Sequence, residues 1–396
     1  MVKNRVHVDK EADPSILSQK LTFKTSGRVA KNRLLKSALS DRLASYVHLN
    51  PKLTGIPSDQ LINTYSKFGH GGFGVLITGN ASVHPDHLEA VGNLVVCYEN
   101  ETDECRTQFK LLAEVAKCDG SIVIMQLAHP VSKKEDSNGK VLTEKEVQEQ
   151  VVERFVYAAR QAHLFGFDGV QIHAAYVNLL VQFLSPNDNK REDKYGGSVE
   201  NRFRVIEEIY SGIRNSIPPS TGFIVGIKLD FVSSTEKTQH SPDFIEILKR
   251  TDLEVEETTL ESTLRQHIKQ TKVYMTGGFK QVEMMAKAVE SGYADGIGLG
   301  RSVTAEPGLA KKILNKEAQS VSQAFYDHDY QTMINMSLTQ MAQAGQTSWS
   351  NCQNDPAFGI TDFSNKQEAE NFHKQLKEHL KTVGESKQSV FDYKPL

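Results

Sequence analysis

The amino-acid sequence predicts an α/β protein, a (β/α)8 TIM barrel with a C-terminal helical extension, on three observations. Short β-branched runs alternate with segments of helical period along most of the chain, the pattern of parallel β/α units. The runs number eight. Finally, the glycine fingerprint that would favour a doubly wound sheet, Gly69-His70-Gly71-Gly72-Phe73-Gly74, precedes a strand. A pyrophosphate-binding loop must instead follow a strand and open a helix, so this stretch reads as a helix-to-strand turn.

Taken in order, strands are expected near Arg33–Ala38, Gly74–Thr78, Ile122–Leu127, Gly169–His173, Phe223–Leu229, Phe244–Leu248, Lys272–Thr276 and Gly296–Leu299. Helices are expected between them at Ser58–Phe68, Thr102–Cys118, Glu144–Phe165, Ser198–Arg214, Thr258–Lys269 and Phe279–Ser291. The third carries an apolar stripe of Val152, Phe155, Val156 and Ala159 at helical spacing. Between the fifth and sixth expected strands stands only Phe231–Pro242, FVSSTEKTQHSP. Extended, that segment reaches about 40 Å but leaves no room for a crossover helix, so the barrel is expected to lack one outer helix. From about Glu317 the chain turns polar, with TSWSNCQNDPAFG as a loop and a charged amphipathic helix over Asn365–Thr382. The expected division is a barrel domain over 1–316 and an extension over 317–396 packed against it.

With 396 residues, 39% of them hydrophobic, the chain can bury a full core. A net charge of -3 with both signs scattered offers no footprint for nucleic acid or an acidic membrane, which leaves a small molecule, or a second copy in a homodimer, as the expected partner. Cys97, Cys105, Cys118 and Cys352 form no C-x-x-C pair and no histidines stand at ligand spacing, so neither zinc nor a disulfide framework is expected. They read as free thiols. The segment MVKNRVHVDKEAD is charged where a secretory signal needs an apolar core. No run reaches the roughly 18 apolar residues of a membrane span, so a cytoplasmic location is expected.

In such barrels the site is built at the carboxyl ends of the strands. Those ends supply Ser37 and Ser40, Gly79 and Asn80, Gln126 and His129, His173 and Lys228. Thr276-Gly277-Gly278 follows strand seven and Gly300-Arg301 follows strand eight, where backbone N–H groups commonly hold phosphate. The ring suits a polar, planar, phosphate-bearing ligand and offers no hard-cation geometry.

Several of these stretches together resemble the Old Yellow Enzyme family of FMN-dependent NAD(P)H oxidoreductases. They are Gln126-Leu127-Ala128-His129, GFDGVQIHAA at Gly166–Ala175, QFLSPNDNKREDKYGGSVENRFR at Gln182–Arg204, TGGF at Thr276–Phe279 and GIGLGR at Gly296–Arg301. The likeness runs from about Leu21 to Leu314, and the Gln182–Arg204 signature is long enough to be specific.

The resemblance implies FMN as cofactor and NADH or NADPH as hydride donor, with a quinone, enone or similar electron-poor molecule as acceptor. It implies that Ser37, Ala38 and Ser40 line one edge of the isoalloxazine, and that Asn80 and Gln126 bond its pyrimidine side. Gly277, Gly278, Gly300 and Arg301 hold the phosphate. Lys228 stands near N1 and O2, where arginine is commoner, so a point charge replaces a fork of donors.

In the family a histidine, with a histidine or asparagine three residues on, holds the acceptor's carbonyl oxygen, and a tyrosine two residues further donates a proton. Here those places fall on His173, Tyr176 and Asn178. Two of the three depart from the pattern, and an asparagine cannot deliver a proton at neutral pH. The stretch His129–Thr143 is short for a lid, and Leu248-Lys249-Arg250 replaces a Ser-Gly-Gly turn. Altered acceptor chemistry is the expectation, and a degenerate barrel with a regulatory or assembly role is the alternative.

Overall fold

The computed structural model describes residues 3–130, 141–176, 178–229, 232–233, 236–237, 246–247, 249–251, 257–260 and 268–385. Eight parallel strands close a barrel: β1 (Leu34–Lys36), β2 (Val75–Ser82), β3 (Ile122–Ala128), β4 (Gly169–Ala174), β5 (Ile224–Leu229), β6 (Glu257–Leu260), β7 (Lys272–Thr276) and β8 (Gly296–Leu299). Each pairs with its neighbours in sequence, and β8 pairs β1, which pairs β2. Buried residues such as Leu34, Leu76, Val123, Val170, Val225 and Ile297 form these strands, as expected of a parallel sheet covered on its outer face.

Register places the site. His173 of β4 lies beside Lys228 of β5, and Gln126 of β3 lies between Asn80 of β2 and Gln171 of β4. The β2–β3 ladder shifts register between Ile77 and Asn80. A bulge of this kind re-aims the side chains beyond it.

The outer layer begins with α1 (Asp59–Gly69), α2 (Asp103–Ala116), α3 (Glu153–Leu164) and α4 (Val199–Ser216). Ser58, Thr102 and Ser198 cap the N-termini of α1, α2 and α4 by accepting from the third backbone N–H. A capping box at Thr143 and a π-turn over Gln148–Val152 lead into α3. After β7 comes α5 (Val282–Glu290), and after β8 α6 (Leu309–Leu314). The glycine stretch 69–74 forms the turn from α1 into β2, as its position before a strand suggested.

Two expectations are corrected. Phe244–Leu248 is not the sixth strand: Glu246, Ile247 and Lys249–Thr251 are helical, and β6 lies at Glu257–Leu260, inside the expected helix Thr258–Lys269. The connection from β5 to β6 therefore carries helix. Residues 261–271 join β6 to β7, and 261–267 of them lie outside the described residues. Most of Phe231–Pro242 and residues 131–140 of the expected lid lie outside the described residues.

The C-terminal segment contains α7 (Tyr330–Gly345), absent from the sequence reading, and α8 (Lys366–Glu385). Its last residues lie on α1: Gln60 Nε2 donates to Ala342 O at 2.8 Å, Asn63 Nδ2 to Gly345 O at 3.0 Å and Thr64 Oγ1 to Met341 O at 3.1 Å. Phe372, Ala369 and Leu376 of α8 pack with Phe363 and Met336 into a separate small core.

Candidate functional site

At the carboxyl ends of the strands opens a cavity of about 540 Å3. Its wall includes Ser37, Ala38 and Ser40 from the end of β1, Asn80, Gln126, His173, Tyr176, Asn178 and Lys228, and Gly277, Gly278, Gly300 and Arg301 from the last two loops. The structure thus brings these thirteen residues around one space. Gly79 and His129 of the expected ring do not line it. Gly79 N–H instead donates to Asp41 and Tyr65, and the His129 ring packs against His84 and His87.

Hydrogen bonds behind the wall fix what each amide presents. Gln126 Nε2 donates to Gln171 Oε1 at 2.8 Å, which leaves Gln126 Oε1 as an acceptor. Asn93 Nδ2 donates to both Asn80 Oδ1, at 3.0 Å, and Ser40 Oγ, at 2.9 Å. Asn80 is thereby turned so that its own amide N–H groups face away from Asn93, with the Glu89 carboxylate among the acceptors they reach. A wall offering one amide acceptor and one amide donor side by side matches a ligand edge that alternates carbonyl and N–H.

His173 is buried, and its Nδ1 accepts from Asn178 Nδ2 at 3.0 Å and from the Ala175 N–H at 3.3 Å. Two donors on Nδ1 place the ring proton on Nε2. Burial, with the neighbouring Lys228 ammonium, holds the imidazole well below its ordinary pKa. His173 is a neutral Nε2–H donor. Asn178 also donates to Ala175 O at 2.9 Å, so both its N–H groups serve the β4 turn. Tyr176 sits in the left-handed region at φ 54° and is 55% exposed, with the Lys228 Nζ 4.6 Å from its ring centroid.

At the other end Gly277 and Gly278 have φ of 100° and 74°, which only glycine adopts readily in succession. A Cβ on either would meet nothing within 4 Å, so backbone conformation and not space requires glycine there. Ser37 Oγ is buried with no protein partner, and Arg301 approaches the Tyr330 ring at 6.0 Å.

Sequence reasoning missed Arg42, Glu89 and Asn93, which lie on the loops following β1 and β2. Arg42 and Glu89 line the cavity themselves, and Asn93 orients two residues that do. It also missed α7, whose Met333, Ile334 and Met336 line the same cavity. No local motif marks such residues, because they reach the site through tertiary packing.

The profile of the NADH:flavin oxidoreductase / NADH oxidase family matches residues 130–319. The NADH-dependent flavin oxidoreductase nadA of Aspergillus parasiticus is 32% identical over 391 residues, covering 84% of this chain and 86% of that protein. Among solved structures, 2-naphthoyl-CoA reductase superposes with a TM-score of 0.70 at 20% identity over 84% of this chain, which spans 58% of that longer protein. Morphinone reductase in complex with tetrahydroNAD gives 0.64 at 19% identity, covering 78% of this chain and 92% of that one. These two share the fold.

Proposed function

Because the chain belongs to the NADH:flavin oxidoreductase / NADH oxidase family and is of the Old Yellow Enzyme type, we propose that it passes reducing equivalents from NAD(P)H to a quinone, an enone or a similar electron-poor carbonyl compound. It is an NADH-dependent flavin oxidoreductase with FMN and NAD(P)H as cofactors.

The residues present fit FMN. Paired glycines at positive φ after β7, with Gly300 and Arg301 after β8, suit a phosphate. The Gln126 acceptor and the Asn80 donor suit the pyrimidine edge, and the orphaned Ser37 hydroxyl would gain a partner from the bound group. Lys228 supplies positive charge beside that edge. When bound, FMN supplies the two-electron relay between nicotinamide and acceptor.

The observation that carries the proposal is the His173 donor. A neutral imidazole fixed as Nε2–H can hold an acceptor's carbonyl oxygen and stabilise the negative charge that grows on it, without itself being titrated. Tyr176 replaces the second member of the usual pair and can give one further O–H donor from the rim of the cavity. Asn178 does not stand in for a proton donor. Its N–H groups are committed to His173 and Ala175, so the proton for an alkene carbon comes from Tyr176 or from water. Quinones, which take up protons on oxygen from solvent, suit such a site better than enones.

The purified protein should be yellow, bleach with NADH in the absence of oxygen and regain its colour with a quinone. A protein that cannot take up added FMN would sink the proposal.

A further inference from the structure

We propose that the amino-terminal end of the barrel, opposite the flavin cavity, carries a site for one borderline-soft divalent cation such as zinc, held by His70, Cys118 and Asp119.

Nothing in the linear sequence announces it, since His70 ends α1 while Cys118 and Asp119 follow α2. Packing joins them. A Cβ on Gly69 would lie 2.7 Å from Cys118 Sγ and 2.6 Å from Val115 O, so only glycine lets the end of α1 approach the end of α2 this closely. One nitrogen, one sulfur and one oxygen from the three residues lie within 4.8 Å of one another. Among the described residues this is the one group of three or more histidine, cysteine and acidic side chains that converges so.

Three further features point to a cation. First, two helix C-termini meet here, those of α1 and α2, and each presents the negative end of its dipole. Second, the His70 ring is held in place: it stacks on Trp349 with centroids 3.7 Å apart and planes 18° from parallel, and its Nδ1 lies 3.1 Å from Asp119 Oδ1. Third, the donor set is chemically mixed. Imidazole nitrogen, thiolate and carboxylate suit zinc, which binds at about 2.0–2.3 Å with a tetrahedral preference, and do not suit calcium or magnesium.

The groups are partly exposed, so a fourth position remains open to water. Lys31, whose Nζ donates to Asp119 O at 2.6 Å, and Lys311, whose charge acts on Lys31, are positive groups nearby that oppose the cation. Binding forms the metal–sulfur bond and releases the Cys118 thiol proton to solvent, with no change of oxidation state. The bound ion would tie α1, α2 and the segment carrying Trp349 together, far from the redox chemistry.

The test uses the untagged full chain after chelation and dialysis. Zinc should bind calorimetrically at one equivalent, with a dissociation constant on the order of 10 μM or tighter, and cobalt should give a thiolate charge-transfer band in the difference spectrum. Cu2+ should quench the fluorescence of Trp349, the single tryptophan of the chain. Cys118→Ser should abolish the cobalt band and weaken zinc at least about tenfold, and Asp119→Asn should weaken it less, in proportion to the charge removed. Flavin content and the rate of flavin reduction should be unaltered in both. Absence of saturable binding, or equal zinc affinity in Cys118→Ser and the parent, overturns the proposal.

Discussion

Asn178 donates its side-chain amide to Nδ1 of His173 at 3.0 Å, and this bond is the shorter of the two, the other from the Ala175 N–H, that keep the ring proton on Nε2. In the family pattern Asn178 stands where a proton donor is usual, yet here it acts on a neighbouring side chain. Asn178→Asp tests that reading. A carboxylate would draw the proton to Nδ1 and turn Nε2 into an acceptor, while favouring the imidazolium as pH falls. Turnover with a quinone or enone should drop at least about tenfold at pH 8, roughly 1.4 kcal/mol of lost transition-state stabilisation, and recover toward pH 6. Flavin reduction by NADH should hold steady throughout. A flat pH profile for the variant would remove the tautomer argument.

Lys228 lies beside His173 in the β4–β5 ladder and also faces the cavity, so its charge acts on both ligand and imidazole. Lys228→Gln should slow flavin reduction by NADH about tenfold or more and weaken FMN retention, as the loss of a fixed charge near a developing anion does. The same change should let the His173 pKa rise, because the Lys228 ammonium is one cause of its depression. Lys228→Arg should recover most of the reduction rate. Stopped-flow absorbance and NMR titration of the His173 ring separate the two effects.

Much of this site could be read in the sequence because a closed barrel puts strand ends in one place. Gln126, His173 and Lys228 each finish an apolar run, and the glycine pairs after β7 and β8 are local signals. Asn93 and Glu89 could not be read, since they lie on a loop whose fold depends on the Asn93 bonds to Ser40, Asn80 and the Ala90 N–H. The sixth strand was misplaced because Glu257–Leu260 carries no apolar run, while Phe244–Leu248 does and is partly helical. The signature Gln182–Arg204 identifies the family yet builds scaffold. Asn189 bonds Phe183 O and Tyr195 O, and Arg202 bonds Leu184 O and Gly197 O.

Acid should destabilise the fold through three imidazoles beside the β3 end. His84, His87 and His129 lie with ring centroids 4.5 to 5.7 Å apart. Burial lowers all three, His84 to about 4, and Arg154 adds repulsion that Asp86 and Glu99 only partly offset. Folded, they bind fewer protons than in the unfolded chain, where histidine titrates near 6.5. Their contribution is therefore fully present above about pH 6.5 and lost as pH falls toward 4. The melting temperature should decline over that window, and His84→Gln with His87→Gln should flatten the decline. Equal slopes in parent and double variant would clear the cluster of responsibility.

Lys36 offers the sharpest stability test. Its side chain is wholly buried on the outer face of β1, with Nζ 3.3 Å from Tyr65 Oη, 3.2 Å from Ile77 O and 4.9 Å from the ring centroids of Tyr65 and Phe68. Tyr65 in turn donates to Asp41 Oδ2 at 2.8 Å, which also accepts from the Gly79 N–H. The network joins β1, α1 and β2 directly beneath Ser37, Ser40 and Asn80. Desolvation pushes the Lys36 ammonium down and the Asp41 carboxyl up, and the attraction between them opposes both shifts. Removing one partner leaves the other buried and uncompensated, which typically costs about 3–5 kcal/mol. Lys36→Met should therefore destabilise by about 3 kcal/mol in urea titration and loosen FMN, because Asp41 loses its cation. The double change Lys36→Met with Asp41→Asn should recover part of that loss, since no buried charge remains. If the double variant is as unstable as the sum of the singles, the two residues do not act as a pair.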